Sequence, residues 1–172
     1  MLREAGIDFE VGLSRAREWP YPGGDPAEYA ESLARAKAAG AEGEVVLGAD
    51  TVVVVDGTVL GKPIDPDDGA AMLRRLSGRM HDVITAVAVQ DRGAIRWGHA
   101  RSRVTFRPLS SAEIVEYVTS GEPLGKAGAY AIQGRAAGFV AELDGDRDTV
   151  VGLPLGLVRR LLPKRVGGLI AD

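Results

Sequence analysis

Residues 45–63 read VVLGADTVVVVDGTVLGKP, and this stretch decides the fold. Its two apolar runs, 45–47 and 52–55, predict a buried strand from Val45 to Val55. Between the runs lies a short turn of small residues that carries one carboxylate, Asp50. Asp56-Gly57 is a strong signal for a two-residue hairpin turn, so residues 58–60 are expected to pair back on the first strand.

Asp50 and Lys62 are the two charged groups that this stretch places near the ends of predicted strands. Lys62 lies in a Gly/Pro bend, which favours a fixed position for its ammonium group. A fixed carboxylate and a fixed ammonium suit metal-assisted chemistry on a phosphorylated ligand. The alternative is that Asp50 only caps a turn and that Lys62 is solvated, because short motifs match by chance often.

The composition limits the kinds of site that the chain can build. Its 172 residues suffice for one domain with a core, and its 45% hydrophobic and 26% charged residues are typical of a globular protein. There is no cysteine, which excludes disulfides and thiolate zinc sites. Two histidines, His81 and His99, are too few for an imidazole metal centre. A metal would need oxygen ligands, which favours magnesium or manganese.

The charge pattern and hydropathy argue against several classes of partner. The net charge is −3 and no long basic run is present, so duplex nucleic acid is not an expected partner. No apolar stretch approaches the length of a membrane span, and the first residues lack the core of a signal peptide. We therefore expect a cytoplasmic location with no membrane association.

Helix and strand signals alternate along the chain. Asp25 and Ser110 are predicted N-caps, the latter in a capping box with Glu113. Predicted helices run from these residues to Gly40 and Gly121. Two more helices are predicted, from Asp65 to Gly78 and over residues 154–162. Further strands are predicted over residues 83–89, 95–97, 104–106 and 139–143, and an acidic turn over residues 144–148.

This order predicts an α/β protein with a mixed twisted sheet and flanking helices, in one continuous domain over residues 1–172. The strand at 83–89 is apolar enough to be central. On the first predicted helix, Lys37 continues the row of Tyr29 and Leu33, which places an ammonium at the edge of the buried face. The Gly-rich stretch 121–138 lacks periodicity, and such long loops are usually functional.

Four blocks of sequence carry a family resemblance. They are Gly48-Ala49-Asp50-Thr51 with Gly61-Lys62-Pro63, LSGRMH at 76–81, GEPLGKAGAYAIQG at 121–134, and VVGLP at 150–154. In this order and spacing they resemble the Maf family of nucleoside triphosphate pyrophosphatases over nearly the whole chain. The resemblance implies two α/β lobes around a central cleft, as in inosine triphosphatase-like folds. It also implies metal-dependent hydrolysis of a nucleoside triphosphate to the monophosphate and pyrophosphate.

The resemblance also assigns roles to individual residues. It implies that Asp50 is the catalytic base and, with Glu18, a ligand of a divalent metal, Mg or Mn. It implies that Thr51 and Gln133 choose the base, in the manner of the dTTP/UTP branch. The lysines expected to neutralise the triphosphate are Lys37, Lys62 and Lys126.

The sequence departs from the family pattern in three places. Family members open with a strand and a Ser-x-Ser-Pro-Arg-Arg loop that binds phosphate. Residues 1–10 match what normally follows them, so we expect the chain to be N-terminally truncated relative to the family. A misassigned start codon and a real truncation both explain this. Arg15 and Arg17 replace acidic residues, and residues 146–149 replace a stretch with a hydroxyl, an aromatic and an Asn.

Three functions therefore stay open from the sequence. The first is pyrophosphatase activity on dTTP or UTP, with the nucleoside triphosphate as partner and a homodimer left open. The second is a catalytically impaired protein that binds nucleotide or acts in cell division, because the arginine loop is absent. The third is a phosphatase that releases single phosphates.

Overall fold

The computed structural model describes residues 1–167. Its strands form one antiparallel sheet, with helices packed around it, which confirms the predicted α/β class. The strands are β1 (Val45–Val55), β2 (Thr58–Leu60), β3 (Met80–Asp91), β4 (Ala94–Phe106) and β5 (Val140–Asp144). Their order in the sheet is β2-β1-β3-β4-β5, so the predicted apolar strand within β3 is central, as expected.

Four of the six α-helices that the structure describes lie close to predicted positions, whereas the short ones at 147–151 and 164–167 were not predicted. The six helices are α1 (Pro26–Ala39), α2 (Pro66–Leu76), α3 (Ser111–Thr119), α4 (Arg147–Val151), α5 (Leu155–Leu161) and α6 (Lys164–Gly167). The Gly-rich stretch holds two short 3₁₀ helices, Ala127–Ala129 and Arg135–Phe139. Within residues 1–167, no helix has both the length and the apolar character that a membrane span requires.

Local capping chemistry explains where the helices begin. The Asp25 side chain accepts a hydrogen bond of 2.8 Å from the Ala27 N–H at the start of α1. At α3, Ser110 and Glu113 form the predicted capping box, in which each side chain accepts from the other residue's backbone N–H at 3.2 and 2.9 Å. Such a cap contributes about 1 kcal/mol.

The β1–β2 hairpin is also confirmed. Val53 pairs with Leu60 and Val55 with Thr58, which leaves Asp56-Gly57 as a two-residue turn. Both turn residues have positive φ, 47° and 72°, as a type I′ turn requires. The turn chemistry therefore sets the register of β1.

Two predicted boundaries are wrong. Residues 94–106 form one strand, not two, because the polar Ser102 takes a buried position between the exposed Arg101 and Arg103 and so continues the alternation of the strand. The Ser102 hydroxyl is satisfied by donating to the Asp146 carbonyl at 2.9 Å. The acidic turn at 144–148 is shorter than predicted, because α4 already begins at Arg147.

The chain divides into two compact units, each with its own apolar core. The first contains residues 1–50, 85–100 and those from 152 onward, and the second contains residues 51–84 and 101–151. The first core is built on Ile7, Val87, Val89, Leu157, Val158 and Leu162. The second centres on an aromatic cluster that includes Phe106, Tyr117, Tyr130 and Phe139.

Candidate active site

In the first unit, Gly48 brings strand β1 against helix α1. A Cβ atom at Gly48 would lie 2.5 Å from the Ala34 carbonyl oxygen and 2.6 Å from the Ala38 nitrogen, which no side chain tolerates. Only glycine permits this approach. Because Asp50 follows two residues later on β1 and Lys37 lies on the same turn of α1, the approach places their side chains together.

Lys37 is the centre of a three-residue acid–ammonium cluster. Its Nζ lies 2.5 Å from Asp50 Oδ1 and 2.8 Å from Glu18 Oε1. The Asp50 side chain is only 9% exposed, whereas Glu18 is 45% exposed. Burial lowers the pKa of Lys37, but the hydrogen bonds and charges of Asp50 and Glu18 outweigh it, so its pKa is raised overall. The ammonium therefore stays charged at neutral pH.

Glu18 reaches the cluster from an extended segment, residues 14–19, that lies along the end of α1. The Ser14 hydroxyl donates to the Lys37 carbonyl at 2.9 Å, and the Arg15 N–H donates to the Gly40 carbonyl at 2.9 Å. Gly40 has no room for a side chain, because its Cβ would lie 2.8 Å from the Ala16 nitrogen. These backbone contacts hold the segment that carries Glu18.

Tyr29 lies next to the acid–ammonium cluster. The sequence had placed it only on the buried face of the first helix. Its hydroxyl donates to the Trp19 carbonyl at 2.6 Å, next to Glu18 in the chain. Burial raises the pKa of Tyr29, and the negative charges of Asp50 and Glu18 raise it further. Its place in one row with Lys37 was the signal that could have found it.

The donor set suits a hard divalent cation. Glu18 and Asp50 each direct a carboxylate oxygen at the same ammonium, so this position already accommodates a cation between two anionic oxygens. Among the described residues, no group of three or more acidic or histidine side chains could hold a metal. Magnesium commonly takes one or two protein carboxylates and completes its shell with water and substrate phosphates, so two carboxylates fit it.

In the second unit, one backbone hydrogen bond joins the segments that carry Lys62 and Lys126. The Gly128 N–H donates to the Gly61 carbonyl at 2.9 Å, so the two lysine-bearing segments are neighbours. Gly128 has a φ of 67° and packs on Val53, whose Cγ2 would lie 2.9 Å from an added Cβ. Both lysines are exposed, as a role in binding a charged ligand requires.

The two residues expected to choose the base also lie in the second unit. Thr51 is half-buried and directly follows Asp50 on β1, so the two side chains leave opposite faces of the strand. Gln133 is exposed, in a turn closed by the Gly134 N–H donating to the Ala131 carbonyl at 3.0 Å.

The structure thus brings together two sets of the predicted residues. Glu18, Lys37 and Asp50 are in direct contact, whereas the segments of Lys62 and Lys126 meet through their backbones. The two sets belong to different compact units, and their action on one substrate stays a prediction.

His81 has a structural place in the second unit. It is 2% exposed, and its Nε2 lies 2.8 Å from the Tyr130 hydroxyl. Its ring also makes edge contacts with Phe106 and Tyr130.

Comparison with known proteins identifies the family. The model of the Maf-like protein family matches residues 1–165. The chain belongs to the Maf family. Three curated Maf relatives are each named dTTP/UTP pyrophosphatase. The protein from Moorella thermoacetica is 51% identical over 168 residues, which cover 94% of this chain and 87% of the relative.

The other two relatives agree closely. The protein from Pelotomaculum thermopropionicum is 46% identical over 170 residues, covering 95% of this chain and 89% of the relative. That from Geobacter sulfurreducens is 47% identical over 175 residues, covering 98% of this chain and 91% of the relative. The resemblance drawn from the four sequence blocks is therefore confirmed.

Proposed function

We propose that this Maf chain hydrolyses dTTP and UTP to the nucleoside monophosphate and pyrophosphate. The observation that carries the proposal is the cluster of Glu18, Lys37 and Asp50, in a chain 46–51% identical to proteins named dTTP/UTP pyrophosphatase. The cluster combines a nearly buried carboxylate, the candidate base, with an ammonium whose charge attracts phosphate.

In the proposed reaction, water attacks the α-phosphorus and the bond from that phosphorus to the bridging oxygen breaks. Asp50 accepts a proton from the attacking water, and pyrophosphate leaves with the electron pair of the broken bond. The ion pair with Lys37 holds the Asp50 carboxylate in place, with 2.5 Å between Oδ1 and the ammonium nitrogen. A positioned base of this kind contributes about 10²–10⁴ in rate.

Asp50 and Glu18 are the residues proposed to hold Mg²⁺ or Mn²⁺. When bound, such a metal polarises a phosphate oxygen and lowers the pKa of a coordinated water. Lys37, Lys62 and Lys126 are proposed to neutralise the negative charge of the triphosphate. Ammonium groups suit this role because they act as point charges that need no fixed planar geometry.

Thr51 and Gln133 are proposed to recognise the base. The amide of Gln133 offers both a donor and an acceptor, which match the 4-oxo and N3–H groups of thymine and uracil. A cytoplasmic location is part of the proposal, because that compartment holds the nucleoside triphosphate pool. Neither duplex nucleic acid nor a membrane enters it as a partner.

A substrate panel tests the proposal. The purified chain is incubated with each common ribo- and deoxyribonucleoside triphosphate, with and without magnesium, and the products are separated by anion exchange. We expect pyrophosphate and monophosphate, fastest from dTTP and UTP and only with metal. Orthophosphate as the first product would show a phosphatase, and no hydrolysis of any triphosphate would contradict the proposal and favour the nucleotide-binding alternative.

A further inference from the structure

The turn that carries Gln133 is held at both ends by one pair of side chains. Ala131 begins the turn, and its backbone N–H donates to the Tyr117 hydroxyl oxygen at 3.1 Å. That hydroxyl in turn donates to Glu122 Oε1 at 2.9 Å. Beyond the turn, the backbone N–H of Arg135 donates to Glu122 Oε2 at 3.2 Å.

Glu122 also lies directly against the backbone that follows Gln133. A Cβ atom added to Gly134 would be 2.1 Å from Glu122 Oε1 and 2.5 Å from its Cδ. A side chain at position 134 would therefore displace the Glu122 carboxylate from this place. Glycine at position 134 thus allows the Glu122 carboxylate to lie against the Gln133-Gly134 backbone.

Tyr117 is a rigid support for the Glu122 carboxylate and the Gln133 turn. It is 2% exposed, and its ring packs edge-on against Phe139 with 5.1 Å between the centroids. Burial raises the pKa of the Tyr117 hydroxyl well above its usual value, so the group keeps its proton and can donate to Glu122. A buried aromatic ring with two torsions is a stiffer support than a long exposed side chain.

We propose that Tyr117 and Glu122 are positioning residues that set the direction of Gln133 and thereby the choice of pyrimidine. The inference rests on the proposed function. On a mobile main chain, the exposed Gln133 amide can meet either base edge, because it carries both a donor and an acceptor. Uracil offers an acceptor at position 4, whereas cytosine offers a donor there. Only a fixed main chain restricts the places that the amide reaches, so discrimination requires the two contacts that hold the turn.

The test uses Tyr117→Phe, with Tyr130→Phe as the matched control. Both variants lose one buried hydroxyl from the same aromatic cluster, but Tyr130 bonds to His81 and has no hydrogen bond to Glu122. We expect the ratio of kcat/KM for UTP over CTP to fall about tenfold in Tyr117→Phe, which corresponds to about 1.4 kcal/mol. The ratio should not change in Tyr130→Phe.

A double-variant cycle separates positioning from a general loss of structure. If Tyr117 acts through Gln133, Tyr117→Phe changes the ratio no further in a Gln133→Ala background. Glu122→Gln, which keeps one acceptor and loses the other, is expected to reduce the ratio as well. Equal losses for UTP and CTP, or an unchanged ratio in Tyr117→Phe, would overturn the inference.

Amide hydrogen exchange provides a readout independent of turnover. We expect faster exchange at Ala131 and Arg135 in Tyr117→Phe than in Tyr130→Phe, because the contacts to these two amides depend on the Tyr117–Glu122 pair. If the unchanged chain hydrolyses no triphosphate, the proposed function fails, but exchange still decides whether the pair holds the turn. Equal exchange in the two variants would overturn the inference.

Discussion

The acid–ammonium cluster of the first unit and the Gln133 turn of the second are held in opposite ways. In the cluster, the functional side chains bind one another directly, with Lys37 between Asp50 and Glu18. In the turn, the side chain of Gln133, proposed to recognise the base, is exposed, and its main chain is held through Tyr117 and Glu122.

The difference matches two kinds of chemistry. Proton transfer and metal binding need charged atoms at fixed distances, so the charges themselves are paired and partly buried. Recognition of a base needs an amide that meets the ligand from solvent, so rigidity has to come from the backbone below it. Changes in the first region should therefore alter turnover, and changes in the second should alter selectivity.

The largest change in turnover is expected from Lys37→Met, which leaves Asp50 and Glu18 without the ammonium that they share. Turnover should fall about 10²–10³-fold on dTTP and UTP alike, as when one preorganised donor is removed from a charged transition state. Steady-state kinetics on both nucleotides measure it. Lys164→Met, at an exposed lysine of α6, is the control. If Lys37→Met changed the preference for dTTP over CTP but left turnover normal, the assignment of turnover to the cluster and of selectivity to the Gln133 turn would be wrong.

Acid should weaken the second unit through His81. Burial lowers the pKa of His81 to about 4, whereas the unfolded chain protonates near pH 6.5. Between pH 4 and 6.5 the unfolded state binds more protons than the folded state. The stability that neutral His81 contributes is therefore complete above about pH 6.5, and the free energy of unfolding falls by roughly 3 kcal/mol as the pH decreases towards 4.

Urea unfolding at pH 4.5 and 7.5 measures this loss. His81→Gln, which can still bond to the Tyr130 hydroxyl, should flatten the dependence on pH. An unchanged slope in this variant would assign the acid sensitivity to other groups.

Gly134→Ala should separate selectivity from turnover. Its new methyl group would displace the Glu122 carboxylate from its hydrogen bonds with Tyr117 and Arg135. We therefore expect the free energy of unfolding to fall by about 1–2 kcal/mol and the preference for UTP over CTP to be reduced. Gly138→Ala, in the same loop with open space around it, is the matched control. Adding Glu122→Ala to Gly134→Ala should restore part of the stability in thermal unfolding. No restoration would argue against the close contact.

The smallest effect is expected from Ser110→Ala, which removes the cap of α3, the helix that carries Tyr117. Loss of the cap should cost about 1 kcal/mol in urea unfolding. Because the Tyr117 hydroxyl contacts stay intact, the UTP-to-CTP ratio should not change. A clear fall in that ratio would mean that general loosening of α3 is enough to disturb Gln133.

The sequence predicted best what depends on neighbouring residues. The caps at Asp25 and Ser110 and the Asp56-Gly57 turn follow from local hydrogen bonds and φ preferences, and all three are confirmed. The continuous β4 was missed because Ser102, a polar residue, takes a buried position there. Its hydroxyl is satisfied by Asp146, 44 residues later, which no local pattern reveals.

In the candidate site, too, local patterns predicted some features and long-range contacts decided the others. Periodicity placed Lys37 at the edge of its helix face, and the family resemblance assigned Glu18 to a metal, but neither predicted the contact between the two side chains. The support of Gln133 by Tyr117 and Glu122 was not foreseen, because it depends on how α3 packs below a loop without periodicity. The glycines at 48 and 134 were visible in the motifs, yet their purpose is clear only from the atoms around them.

The proposed hydrolysis depends most on Asp50 as the group that accepts the proton from water. The direct measurement is pyrophosphate release from dTTP by Asp50→Asn across a magnesium titration, with Asp56→Asn, at the exposed hairpin turn, as control. We expect a fall of at least about 10²-fold at every magnesium concentration, an unchanged circular dichroism spectrum, and normal release by the control. Turnover by Asp50→Asn equal to that of the unchanged chain would contradict the account.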